Sequence, residues 1–269
     1  VSEPAILGTI RASSWPTLFD CSLRWYYQNV LGLRTPSHGK SQLGTALHKA
    51  TAVYDAPGLV GAPGSLGEAT DALMQTLQQP QHPVEWDDDF KPAKAEAIGL
   101  ALTKNYAEQI APKHEYRAIE VNCNALDITT EAGVVRISGT TDRVRVTEDG
   151  REGISDIKSG GRAVAADGRA VTKGHHLQTG IYRIMAEAAL ERVFDAPDEI
   201  IGLQVAANAR VGCAEISDSR TPLVGDEDAP GLIEMAARML KSGIFPPNPR
   251  SMLCSPTYCG GYSRCKFHD

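Results

Sequence analysis

The stretch GISDIKSG, residues 153–160, decides the fold: it sets Asp156 and Lys158 two positions apart among Ile154 and Ile157, between two glycines. In a strand, residues i and i+2 share a face, so an acid and a base point the same way where neutral polar residues would be ordinary. Upstream, EVNCNALDI (120–128) and VVRISGTTDRVRV (134–146) alternate with a period of two, and the turn residues TEDGRE join the second to the opening stretch. Links this short make antiparallel neighbours, and across the resulting hairpin Asp142 comes within reach of Asp156 and Lys158.

Around this β region the period lengthens to that of helices. Residues 14–31 predict one helix, with Ser14 as N-cap, Pro16 in the first turn and Gly32 ending it. A second helix over 41–54 places Leu43, Leu47, Ala50 and Tyr54 on one stripe with His48 beside it. Residues 55–92, rich in Pro, Gly and Gln, read as a variable insertion with a short helix near 66–78, and a further helix covers 91–111. Beyond the strands come a helix over 173–192, strands near 199–207 and 212–217, and a last helix over 229–242. The expected class is α+β, a mixed central sheet flanked by helices.

A chain of 269 residues, 42% hydrophobic and 22% charged, can bury one sizeable core, so a single domain is expected. No apolar run approaches the roughly 18 residues of a membrane span, and no charged segment precedes an apolar leader, which predicts a soluble, cytoplasmic protein with no membrane partner. The net charge of −6 argues against a purely electrostatic nucleic-acid binder. Between Met235 and His268, however, there is no acid, while Arg238, Lys241, Arg250, Arg264 and Lys266 are all basic, which permits a local polyanion surface.

Two carboxylates and an ammonium gathered near a sheet cost desolvation unless something compensates them. A divalent cation bridging Asp142 and Asp156 would do so, and a hard ion such as Mg²⁺ or Mn²⁺ suits oxygen ligands. Such an ion polarises a phosphate oxygen and acidifies a water, while Lys158 positions that water or neutralises charge on the phosphorus; the reaction is phosphodiester hydrolysis. The plainer alternative is an exposed cross-strand ion pair.

Cysteine usage adds a second centre. Of six cysteines, Cys254, Cys259 and Cys265 crowd one Gly-rich loop, CSPTYCGGYSRC. A Cys-ligated zinc, an iron–sulfur cluster and plain thiols all remain open, with Cys21 as candidate fourth ligand. Cys123 and Cys213 fall in strands and read as small buried hydrophobes.

His48 in GTALHK, Asp142 in GTTDRV, the triplet Asp156-Ile157-Lys158, and Gln178 with Tyr182 in HHLQTGIYR resemble, in order, the motif series of the RecB-like branch of the PD-(D/E)xK nucleases. Thr141 stands where the superfamily's Pro precedes the acid. The resemblance implies a restriction-endonuclease-like core in which His48, Asp142, Asp156 and the Ile157 carbonyl ligate Mg²⁺ or Mn²⁺. Lys158 would be the base or its organiser, and Gln178 and Tyr182 would position DNA. Cys21, with an upstream Ser and downstream aromatics, and the three tail cysteines are similar to the 4Fe-4S ligands of AddB and the CRISPR-associated nucleases of this branch, although four residues separate Cys254 from Cys259 where that group more often shows two. By this resemblance the tail, 244–269, binds a cluster that joins the two ends of the chain. The implied activity is a metal-dependent DNA exonuclease acting on single-stranded ends in recombination, repair or replication, of phage or prokaryotic type, alongside a helicase, recombinase or single-strand-binding partner. The competing expectation is a catalytically weak or inactive DNA-binding scaffold subunit of a recombination or CRISPR-adaptation complex.

Overall fold

The opening stretch lies in β6 (Glu152–Gly160), whose first six residues are all buried, so helices must cover both of its faces. In the computed structural model, which describes residues 5–216 and 218–268, they do. Strands β1 (Ile6–Arg11), β4 (Glu115–Thr129), β5 (Val134–Val146), β6, β7 (Asp198–Gln204) and β8 (Val211–Ile216) form one mixed sheet; β2 (Ser37–His38) and β3 (Val84–Glu85) make a separate two-residue pair. Strands β4 and β5, and β5 and β6, pair antiparallel as the short links dictate. Between β6 and β7 the pairing is parallel, and the crossover this requires carries α6 (His176–Leu190).

One face packs against α1 (Trp15–Asp20), α2 (Ser22–Asn29), α6 and α8 (Leu232–Ser242), with Trp15, Trp25, Ile137, Val144, Ile154 and Met185 in a common core. The opposite face meets α3 (Gly39–Asp55), α4 (Leu66–Gln78) and α5 (Pro92–Gln109) through Leu43, Leu47, Leu73, Leu102, Ile157 and Ile201. The short α7 (Thr221–Val224) precedes α8. This is the expected α+β arrangement, a mixed sheet between helical layers. Within 55–92, α4 starts where Ser65 accepts a hydrogen bond from the Glu68 amide, and it buries Leu73 and Leu77 against α3 and α5. The strand expected over 212–217 ends at Ile216; position 217 lies outside the described residues.

Two expectations are corrected. The helix predicted over 14–31 is two helices, because Cys21 is extended (φ −144°, ψ 95°) and ends α1. Bonds from the tail reward the break: the Asn248 amide donates to Cys21 Sγ (3.3 Å), Asn248 Nδ2 to the Asp20 carbonyl (3.0 Å), and the Leu23 amide to the Pro246 carbonyl (3.3 Å). Ser14 makes no side-chain cap; its hydroxyl donates to the Arg11 carbonyl and accepts from Trp25 Nε1. Strand β1, unforeseen from the sequence, runs parallel to β5 with Arg11 opposite Ser138.

Candidate active site

Strand β5 changes partner along one edge: β1 pairs with it as far as Ser138, and β6 pairs with it from Arg143 onward. Asp142 stands beside this fork. After Ser155, β6 leaves β5 for β7, which frees the Ile157 amide, and that amide donates to Asp142 Oδ2 at 2.8 Å. The other oxygen, Oδ1, lies 3.2 Å from Nδ1 of His48 on α3. Gly44, one turn before His48, lets α3 come this close, since a Cβ there would sit 2.6 Å from Ser159 Oγ on β6. Asp156 shares strand parity with Ile154, so it faces the layer that holds α6.

Electrostatically the two acids are pushed apart. Burial works to raise the Asp142 carboxyl, but His48, Lys158 and Arg143 around it hold it well below the usual range. Asp156, 1% exposed, is raised to about 6 by burial and by the Asp142 charge, against the pull of Lys158 and His48. Lys158 Nζ lies 2.5 Å from Asp156 Oδ2 as an ion pair, yet neither Asp156 oxygen accepts a hydrogen bond of regular geometry. Burial alone would lower the His48 imidazole; the adjacent Asp142 carboxylate outweighs it and the net shift is upward.

Helix α6 closes the site. Gln178 Nε2 donates to the Tyr182 hydroxyl at 2.8 Å, one turn apart on the same face. The Tyr182 phenol is raised by burial and then by the Asp156 and Asp142 charges, which places it beside both acids. Gly139 on β5 lies beneath this ring, and a Cβ there would crowd the Ala12 Cβ at 3.1 Å. His175 occupies the N-cap position of this helix without a side-chain cap bond; burial and the nearby Lys158 charge pull its imidazole down to about 4.

Behind the site lies a network that the sequence reading missed. Arg143, 1% exposed, donates through Nη1 to the Asp142 carbonyl (2.8 Å), through Nε to Asp55 (2.8 Å) and through Nη2 to Thr51 Oγ1 (3.2 Å). Thr51 donates in turn to the His48 carbonyl (3.0 Å), and the Tyr106 hydroxyl donates to Asp55 (2.6 Å). One guanidinium thus ties the helix that bears His48 to the strand that bears Asp142. Its signal was the pattern DRVRV, in which arginines alternate with valines as on a solvated face, although helices cover both faces here.

Cys21, Cys254, Cys259 and Cys265 line one cavity between α2 and the tail, together with Arg24, Tyr27 and Asn248. The Tyr27 phenol is raised by burial and by Cys265, Cys259 and Cys21 around it, and burial raises the Cys259 thiol with Cys21 and Cys265 adding to the effect. Cys123 is buried in β4, and Cys213 on β8 is partly buried. The ligand atoms of His114, Glu199 and Cys213 lie within 4.8 Å of one another, close enough for a metal ion. Glu199 is already engaged, however: Ser155 donates to it at 2.8 Å, His114 Nε2 sits 2.9 Å away and Arg145 Nη1 3.4 Å away.

Among known proteins, no curated relative matches the chain. A solved structure described as "Crystal structure of SSO0001" is similar over 90% of this chain and 98% of its own, at 16% identity and a TM-score of 0.40. Residues 11–266 match the family described as the PD-(D/E)XK nuclease superfamily, a span that takes in His48, Asp142, the Asp156-Ile157-Lys158 triplet, the Gln178–Tyr182 pair and all four cavity cysteines. The chain therefore belongs to the PD-(D/E)XK nuclease superfamily, which cleaves nucleic acid with Mg²⁺ or Mn²⁺.

Proposed function

We propose that this chain is a metal-dependent deoxyribonuclease acting as an exonuclease on single-stranded DNA ends, in recombination, repair or replication. The observation that carries the reading is Asp156: a carboxyl 1% exposed, beside a second carboxylate, with Lys158 against one oxygen and no hydrogen-bond donor for the other. Buried carboxylates are hydrogen-bonded or bound to metal, so the donor set of His48, Asp142, Asp156 and the Ile157 carbonyl fits Mg²⁺ or Mn²⁺. When bound, the ion supplies Lewis acidity toward a phosphate oxygen and a more acidic water.

The chain's own residues do the rest. The Ile157 amide and His48 fix the Asp142 carboxylate in one orientation. Lys158, ion-paired to Asp156, places an ammonium beside the carboxylates, where negative charge would grow on the phosphorus-bound oxygens and where it can orient the attacking water. Gln178 holds the Tyr182 hydroxyl toward the same pocket, where the pair can steer the scissile nucleotide.

The cavity cysteines Cys21, Cys254, Cys259 and Cys265 are proposed to hold a 4Fe-4S cluster that staples α2 to the tail. Support comes from the convergence of four thiols and from the Asn248 amide donating to Cys21 Sγ, the type of bond that stabilises thiolate ligands.

The test is digestion of end-labelled single-stranded DNA by anaerobically purified protein with Mg²⁺, Mn²⁺ or EDTA, beside Lys158→Ala. Metal-dependent degradation that the substitution abolishes supports the reading. Iron-replete wild type that binds DNA without cutting it would leave a scaffold in its place.

A further inference from the structure

A polar groove of about 310 Å³ runs along the outer side of α1 and α2, lined among others by Arg11, Ser13, Thr17, Asn29, Arg34 and Thr35. Its lining holds two arginines and no acid, in a chain whose net charge is −6. Arg11 and Arg34 are exposed, and among the described residues neither guanidinium has a carboxylate partner, whereas nine other arginines form ion pairs. Arg34 Nε donates only to the Gln28 carbonyl, at 3.3 Å. Unpaired guanidiniums flanked by hydroxyls and an amide make a phosphate-binding set, with donors to spare and no competing anion.

The groove leads to the active site. Arg11 ends β1 opposite Ser138, four residues before Asp142 on β5, a separation of about 13 Å along the strand. The Cβ of Ala12, the next residue, faces Gly139, and Gly139 also faces the Tyr182 ring. The far wall is α2, which the cysteine-rich tail braces: Arg24 Nε and Gln28 Nε2 both donate to the Tyr258 carbonyl, at 3.1 and 3.3 Å.

Resting on the nuclease reading above, we infer that this groove is the track for the uncut part of a single strand, with Arg11 and Arg34 gripping successive backbone phosphates on the way to Asp142 and Asp156. The contacts are to backbone, so the track is indifferent to sequence. It also gives the tail a second task, since loosening α2 from Tyr258 moves one wall of the track.

The test separates grip from cleavage. Binding of labelled oligo-dT is titrated from low to moderate salt on Lys158→Ala, alone and combined with Arg11→Ala, Arg34→Ala or both. Each arginine removed should weaken binding several-fold and reduce the magnitude of the slope of log K against log salt by roughly 0.7. Arg11→Lys and Arg34→Lys should keep the slope, which separates loss of a phosphate contact from damage to the fold. Slopes that stay unchanged in the double Ala variant overturn the track, even if wild type digests DNA. Failure of wild type to digest DNA overturns the nuclease reading whatever the slopes show.

Discussion

Replacing Asp55 with alanine strips the buried Arg143 guanidinium of the carboxylate that, among the described residues, alone lies within hydrogen-bonding distance, and leaves the Tyr106 hydroxyl with only the Tyr116 hydroxyl at 3.2 Å. Both side chains of the ion pair are at most 2% exposed, so water cannot take over. Breaking a buried pair from one side costs about 3–5 kcal/mol, a large share of the roughly 5–15 kcal/mol that hold a domain together. With a urea m-value of about 2 kcal/mol/M, the midpoint should fall by about 2 M. Arg143→Met should fall comparably. The double variant Asp55→Leu/Arg143→Met removes both charges and should recover most of the loss, because replacing a whole buried pair by apolar groups is near neutral. Its activity should not recover, since the tie between Thr51 on α3 and the Asp142 backbone is gone. Misplacement of about 1 Å between His48 and Asp142 can cost on the order of a hundredfold in turnover. Urea titration of the three variants and wild type, paired with digestion rates on the same samples, gives both numbers. A double variant as unstable as the sum of the singles, or one both stable and fully active, would refute the claim that this pair positions the site.

Three further outcomes are expected. The His114–Glu199 pair sets a pH window for stability: His114 is raised because Glu199 outweighs burial, so its contribution is complete below the ordinary histidine value near 6.5 and fades as pH rises through the raised value. Glu199 is lowered by His114 and Arg145 against burial, so its contribution is lost as pH falls through the lowered value; urea midpoints of His114→Gln should lose the alkaline decline that wild type shows. Cys259→Ser should remove iron and visible colour from anaerobically purified protein and lower the melting temperature, whereas Cys123→Ser should keep its iron in elemental analysis. Gly44→Val, which drives a side chain into Ser159, should shift α3 and cut digestion at least tenfold with a smaller loss of melting temperature.

Much of this molecule could be read from residues because local pattern and tertiary demand agree. The helix expected near 66–78 is Leu66–Gln78, where a serine cap and a stripe at Ala69, Leu73 and Leu77 point the same way. The hairpin partners β5 and β6 follow from alternation and a turn rich in Gly and acids. Strand β1 escaped because ILGTIR is short, buries only Ile10 and is paired in parallel with a segment more than 120 residues onward, so nothing local announces it. The break at Cys21 escaped for a related reason: its rewards come from Pro246 and Asn248, and helical spacing in 14–31 is blind to them. Charge was the third blind spot. Asp156 was legible because an acid and a base between isoleucines are out of place, while Arg143 hid in an ordinary alternation and showed its role only once Thr51 and Asp55 stood opposite.

The bonds that join Asp20, Cys21 and Arg24 to Asn248, Ser251 and Tyr258 span more than 220 residues of chain. At a synthesis rate of about 5–20 residues per second, the first half of this seam waits on the order of 10–50 s for the second to be made. During that interval α1 and α2 lack the segment around Asn248 and Tyr258 that they lean on. A chain interrupted before Asn248 would carry every acid and base of the proposed hydrolytic centre and still lack the brace for one wall of its groove.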